Sequence, residues 1–164
     1  MAQEIERKFL VKDDTWRLAA ADGTAYLQGY LSLDSQRVVR VRMKGDRGVL
    51  TIKGLRVGIS APEYEYPIPA ADAEEMLHKL CLRPLIEKVR YEVPYQGLTW
   101  EIDEFQGENL GLVIAEVELS SPDQAVILPP WAGPEVSHDK RYANASLVRV
   151  PFTSWVTGDN PAGG

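Results

Sequence analysis

The chain has one cysteine and two histidines in 164 residues, and no apolar run approaches the ~20 residues that span a bilayer. A lone Cys81 excludes an internal disulfide and reads as a small core residue in a reducing compartment rather than a nucleophile. His78 and His138 have no Cys–His pattern around them and read as surface groups. A basic excess is missing too. The net charge of -6 argues against a general nucleic-acid binder, although a local basic site stays open. The N-terminus carries Glu4 and Glu6 where a signal peptide needs an apolar stretch, so the expected location is the cytoplasm and no membrane partner is expected.

What is present is a globular composition, 45% hydrophobic and 26% charged. The length suits one domain, placed at residues 1–150, followed by a tail at 151–164 whose Gly-rich end from Thr157 is expected to fray. There is no internal repeat. Short alternating runs predict strands at 4–11, 26–33, 37–44, 48–53, 60–68, 85–93, 98–104 and 113–119, with Gly45-Asp46, Gly54, Gly58 and Gly97 as punctuation. Helices are expected from Asp72, as N-cap with Glu75 three residues on, after Ser121-Pro122-Asp123, over 140–147 with Asp139 as cap, and over 14–21. The fold class is mostly β (α+β). Eight short-linked strands suit an antiparallel sheet, and closure into a barrel with helices packed outside would remove its aggregation-prone edges.

The strands carry an unusual charge pattern. Residues two apart on a strand share a face. Glu4, Glu6 and Lys8 share one, opposite Ile5, Arg7 and Phe9. Arg40, Arg42 and Lys44 oppose Val39, Val41 and Met43. Thr51 and Lys53 oppose Leu50 and Ile52. Glu63 pairs with Glu65, Lys88 with Arg90, Glu101 with Asp103, and Glu116 with Glu118. A single charged face is ordinarily solvated. Here like-sign pairs recur on one face of strand after strand, and adjacent like charges repel. If the apolar faces pack outward, the charged faces meet inside, where charges persist only when paired or bound to a guest. Carboxylates suit a hard cation such as Mg²⁺ or Mn²⁺; Lys and Arg suit phosphate oxygens. Lys44 lies near a turn, which places it short of the interior, and Glu101 suits a mouth. Trp100, Tyr64, Tyr66 and Tyr91 read as outward packing residues. No aromatic pair stands out on the charged faces to stack a base or thiazolium.

The run Glu4-Ile5-Glu6-Arg7-Lys8-Phe9-Leu10-Val11 carries an ExExK pattern, and the chain resembles the CYTH superfamily of triphosphate tunnel metalloenzymes. The resemblance continues through Arg40-Val41-Arg42, Thr51-Ile52-Lys53, Glu63-Tyr64-Glu65-Tyr66, Glu87-Lys88-Val89-Arg90-Tyr91, Trp100-Glu101-Ile102-Asp103 and Glu116-Val117-Glu118 to Asp139-Lys140-Arg141-Tyr142-Ala143-Asn144. It implies an eight-stranded tunnel. It implies Glu4, Glu6, Glu116 and Glu118 near metal, with Glu63, Glu65 and Asp103 as further acids. It also implies Lys8, Arg40, Arg42, Lys53, Lys88, Arg90 and Arg141 on phosphate, with Lys88 meeting leaving-group charge and Glu6 and Glu118 as the acids turnover depends on. The compact chain looks most like the short bacterial tripolyphosphatases. Alternatives within reach of the same residues are a thiamine or nucleoside triphosphatase, an adenylate cyclase, and a module that binds polyphosphate without turnover. The expected partner is a small triphosphate, not nucleic acid, and a homodimer is compatible.

Overall fold

A computed structural model describes residues 2–156. Among these described residues, nine strands and two α-helices form in the order β1 (Gln3–Val11), β2 (Thr24–Asp34), β3 (Arg37–Lys44), β4 (Arg47–Lys53), β5 (Ser60–Ile68), α1 (Ala70–Lys79), β6 (Ile86–Tyr95), β7 (Leu98–Phe105), β8 (Val113–Glu118), β9 (Ala132–Glu135) and α2 (Asn144–Arg149). All pairings are antiparallel, in the order β5-β4-β3-β2-β6-β7-β8-β1. β1 then pairs with β5 through Glu4↔Ala61, so eight strands close a ring. β9 joins β1 outside that ring. The eight expected strands are all present to within two residues at either end. β9 was not anticipated: Ala-Gly-Pro-Glu is short, lacks alternation and contains a residue normally confined to sheet edges.

Turn chemistry sets the registers. Gln96 and Gly97 both have positive φ, the conformation of a two-residue type I′ hairpin, and they join β6 to β7 at Tyr95↔Leu98. Gly48 has another role: a Cβ there would lie 2.9 Å from the Ala73 Cβ and from the Ile68 carbonyl oxygen. Its absence lets α1 lie directly on β4.

The outward faces build two cores. Val41 and Met43 of β3 pack with Ala73 and Leu77 of α1 and with Cys81, confirming the cysteine as a core residue. Ile5, Phe9, Trp100, Ile102 and Val117 pack with Trp16 and Trp131. Phe9 lies 5.4 Å from Trp100, and Trp131 meets Trp100 edge-on at 5.5 Å. Burying aromatic surface of this size is worth several kcal/mol per side chain. Tyr64 and Tyr66 do point outward but remain about half exposed.

A third core sits at one end of the ring interior. Ile86, Phe105 and Ile114 share the faces of Lys88, Asp103 and Glu116, and they pack with Tyr30, Tyr142, Leu147, Val148 and Trp155. The charged lumen therefore has an apolar floor sealed by α2, while α1 alone lies outside as expected. The expected helix at 140–147 is broken: Lys140–Tyr142 forms a 3₁₀ turn, Ala143 is extended, and α2 follows. Asp139 does cap, accepting from the Arg141 amide. α1 begins earlier than expected, after Pro69, so Asp72 lies in its first turn instead of capping it. The stretch after Ser121 forms a turn and then extended chain instead of a helix. The segment at 14–21 is a 3₁₀ turn, Thr15–Ala19. The tail folds as far as Trp155; its expected fraying from Thr157 lies outside the described residues.

Candidate active site

Strand order sorts the inward charges into two arcs. Across β4, β3, β2 and β6 the inward side chains include Lys53; Arg40, Arg42 and Lys44; Tyr26, Gln28 and Tyr30; and Lys88 and Arg90. Across β7, β8, β1 and β5 they are Glu101 and Asp103; Glu116 and Glu118; Glu4 and Glu6; and Glu63 and Glu65. Lys8 is the exception in the acidic arc. All of these but Tyr26, Gln28 and Asp103 line a cavity of about 470 Å³. The like-sign neighbours meet directly, with Glu6↔Glu118 and Glu101↔Glu116 as cross-strand partners.

The arcs hold each other at their seams. At the β6–β7 seam, Arg90 Nε donates to Asp103 Oδ1 at 2.7 Å and its Nη2 donates to Oδ2 at 2.8 Å. Lys88 Nζ donates to the same Oδ2 at 2.7 Å. At the β4–β5 seam, Lys53 lies 3.0 Å from Glu4 and 3.4 Å from Glu63, and Arg40 lies 3.3 Å from Glu65.

Pairing at the seams leaves several groups of each arc strained. Burial, with Glu116 and Glu4 adding, pushes the Glu6 carboxyl up to about 8. Burial, with Glu4 adding, pushes Glu63 up to about 7. Glu101 and Glu118 are raised by burial too. Glu4 goes down to about 2: burial would raise it, but Lys53 and Arg56 outweigh that. In the basic arc, burial, then Arg40 and Arg90, lowers Arg42 to about 10. Burial lowers Lys88 to about 7, with Arg90 and Arg42 adding and Asp103 opposing. For Asp103 itself burial is outweighed by Arg90 and Lys88, which hold it far below the usual carboxylate range. Such mutual frustration is what a cation on the acids and an anion on the bases would relieve.

Two observations bear on such guests. Arg40 Nε is buried with no hydrogen-bond partner among the described residues, an orphan donor suited to an anion's oxygen. The acidic arc offers oxygen donors only, the set a hard cation takes. Among the described residues no three acidic side chains converge on one point. Glu4 is turned to Lys53 and Arg56, and Glu116 to Lys8 and Arg90. Glu6 has only a 3.9 Å contact with Lys8.

Glu4, Glu6, Lys8, Arg40, Arg42, Lys53, Glu63, Glu65, Lys88, Arg90, Glu116 and Glu118 all line the cavity, as expected from the alternation. Asp103 does not: it is 1% exposed and lies behind Lys88 and Arg90. Arg141 is not part of the lining either; its guanidinium donates to Asp139 and lies 5.4 Å from the Trp155 ring centroid. Lys44 reaches the cavity after all, where burial and Arg42 lower its pKa. Glu101 lies at the rim, its side chain 37% exposed and 3.3 Å from Arg90.

Sequence reasoning missed Arg56, Lys140, Asn144 and Arg149, which line the cavity from loops and α2, where no alternation marks them. It also missed the inward aromatics. Tyr26 is ringed by cations, with the guanidinium carbons of Arg42 and Arg90 each 5.0 Å from its centroid, and Tyr30 lies at the apolar floor. The β2 run showed no charge to flag that face.

A closed antiparallel ring whose lumen is half acidic and half basic, sealed at one end, defines a class of small β-tunnel protein whose arcs suit guests of opposite charge. The chain belongs to the CYTH domain family, whose model matches residues 2–150. It is similar to an inorganic triphosphatase of Acetivibrio thermocellus, 48% identical over 94% of this chain and 99% of that one. It is also similar to an inorganic triphosphatase of Nitrosomonas europaea, 39% identical over 88% and 96%. A crystal structure of an inorganic triphosphatase matches with a TM-score of 0.62 at 36% identity, covering 88% of this chain and 96% of that one. A Pyrococcus horikoshii protein shares the fold at 20% identity and a TM-score of 0.57, over 73% and 81%. Among the described residues no helix is long and apolar enough to cross a membrane.

Proposed function

We propose that this chain is a metal-dependent cytoplasmic hydrolase that cleaves inorganic triphosphate to pyrophosphate and phosphate. The observation that carries the reading is the division of one lumen into an acidic and a basic arc, each destabilised by its own like charges. Its 48% relative being an inorganic triphosphatase supports the same substrate.

Arg40, Arg42, Lys53, Lys88 and Arg90, with Lys8 across the lumen, would grip the phosphate oxygens; Arg40 Nε gains its missing acceptor in doing so. Glu4, Glu6, Glu116 and Glu118, with Glu63 and Glu65 beside them, would hold Mg²⁺ or Mn²⁺. When bound, the cation neutralises phosphate charge and lowers the pKa of a coordinated water. If Lys53, Arg56, Lys8 and Arg90 turned to phosphate, they would release Glu4 and Glu116 for that task. Lys88, the most buried cation of the cavity wall, would meet charge developing on the leaving phosphate in a site with little water to screen it. Asp103, sequestered behind Lys88 and Arg90, would aim those two rather than ligate metal.

A phosphate-release screen tests this, setting tripolyphosphate, thiamine triphosphate, ATP and pyrophosphate against Mg²⁺ and Mn²⁺. Metal-dependent release, greatest with tripolyphosphate, is the expected result. Tight binding without release would make the chain a polyphosphate-binding module, and cyclic AMP from ATP would make it a cyclase.

A further inference from the structure

The apolar floor is tied to the basic arc through Gln28, whose Nε2 donates to the Tyr30 hydroxyl at 3.3 Å and to Asn144. Asn144, the first residue of α2, places its Oδ1 2.9 Å from Lys88 Nζ and 2.9 Å from Gln28 Nε2. Gln28 is fully buried, and its Oε1 accepts from Arg42 Nε at 2.8 Å. Chemistry fixes the direction of this chain. Lysine and arginine only donate, so Asn144 must turn its oxygen to Lys88 and Gln28 must turn its oxygen to Arg42. The Gln28 amide nitrogen is then left facing Asn144 Oδ1, as found. Flipping either amide would set its NH2 against a donor, Lys88 for Asn144 and Arg42 for Gln28.

The chain links parts that are distant in sequence. Lys88 stands on β6 and Arg42 on β3, with β2 between them. Asn144 is held from below, because Leu147 and Val148 of α2 pack into the floor. Lys88 is already drawn to one side by Asp103. Asn144 supplies the second acceptor, which fixes where the ammonium points.

We propose that Asn144 is a positioning residue of the hydrolytic site, setting Lys88 directly and Arg42 through Gln28; this rests on the triphosphatase reading. Displacing reacting groups by about 1 Å costs up to ~10²-fold in rate. Asn144→Leu keeps the branching and heavy-atom count of the side chain and deletes the acceptor. It lowers kcat/KM for tripolyphosphate by about 10- to 100-fold. Asn144→Asp keeps an oxygen for both donors and stays within about fivefold of the parent. If Asn144→Leu does not fold, Asn144→Ser carries the same test, because its hydroxyl ends too short to meet both donors. A second arm needs no turnover: reductive methylation read by peptide mass spectrometry. Lys88 reacts at least threefold faster in Asn144→Leu (or Asn144→Ser) than in the parent, relative to Lys79 as an exposed control, and no faster than the parent in Asn144→Asp, whose added carboxylate favours the ammonium. A parent without tripolyphosphatase activity would end the hydrolase reading, and the methylation arm would still decide the proposal. Rates within twofold for the acceptor-less variant, equal damage in Asn144→Asp, or unchanged Lys88 reactivity would each overturn it.

Discussion

The acidic and basic arcs of the lumen are built alike and behave oppositely. Each spans four adjacent strands, and each sets like charges two residues apart on one face. In the acidic arc burial and crowding push Glu6 up to about 8, while Glu4, Asp103 and Glu116 are held down by the cations they meet. In the basic arc burial and neighbouring cations push Lys88 down to about 7, while Arg90 on Asp103 is raised. The shortest pairs join the arcs where they touch, at Arg90–Asp103, Lys88–Asp103 and Lys53–Glu4. A fold built for stability alone gains nothing from segregating its charges, since one mixed lumen would pair them all. The difference between arcs therefore points to two guests of opposite sign.

The comparison breaks most visibly in the acidic arc. Glu6→Gln or Glu118→Gln removes an anionic metal ligand at nearly constant volume, and each should lower turnover by about 10³-fold or more while circular dichroism stays unchanged. Undiminished phosphate release by both variants at limiting metal would refute their assignment. In the basic arc, Lys88→Ala should lower kcat by about 10²-fold while KM moves far less, because the interaction belongs to the transition state. A pure KM effect would reduce Lys88 to a binding residue. Substrate choice sharpens the same point. Tripolyphosphate carries charge at both ends, and Tyr26 has its faces committed to cations. The kcat/KM for tripolyphosphate should exceed that for ATP by ~10²-fold, about 2.7 kcal/mol; comparable efficiencies would overturn that.

A smaller effect separates frustration from function. Glu6 holds a proton when folded well above the ordinary carboxylate range, so the folded state binds more protons than the unfolded one between about pH 4.5 and 8. Its contribution to metal-free stability is therefore present at low pH and lost as pH rises through that window. Glu6→Gln should raise the metal-free Tm by a few degrees at pH 8, with the gain vanishing near pH 5. A gain independent of pH would deny the shifted carboxyl. Smallest of all, the half-exposed outer pair Arg7–Glu135 should contribute only about 0–1 kcal/mol by double-mutant cycle. A larger value would mean that the outer wall, too, is organised by charge.

Much of this was legible in the sequence because strand alternation has a period of two. Glu4/Glu6, Arg40/Arg42 and Lys88/Arg90 announced their shared faces without any knowledge of which strands adjoin. The arcs themselves were not legible. They depend on β2 pairing with β6 and β1 pairing with β5 and β8, long-range choices made by packing. Asp103 alternated correctly with Glu101, yet depth along the barrel, not face, decides that it is buried behind Arg90. Asn144, Arg56 and Arg149 reach the cavity from segments with no strand period to expose them. Tyr26 sat on an uncharged run, so nothing marked its inward face.

The most direct test of the two-arc account is a calorimetric proton count at pH 7.5, made in buffers of different ionisation heat. Metal and tripolyphosphate are titrated separately, and each ligand's own titration is subtracted. A cation on the acidic arc drives protons off Glu6 and Glu63, so metal binding should release protons. A polyanion on the basic arc favours charged Lys88, so metal-free tripolyphosphate binding should take protons up. Opposite signs are the predicted result; the same sign for both ligands, or no proton exchange for either, would contradict the account.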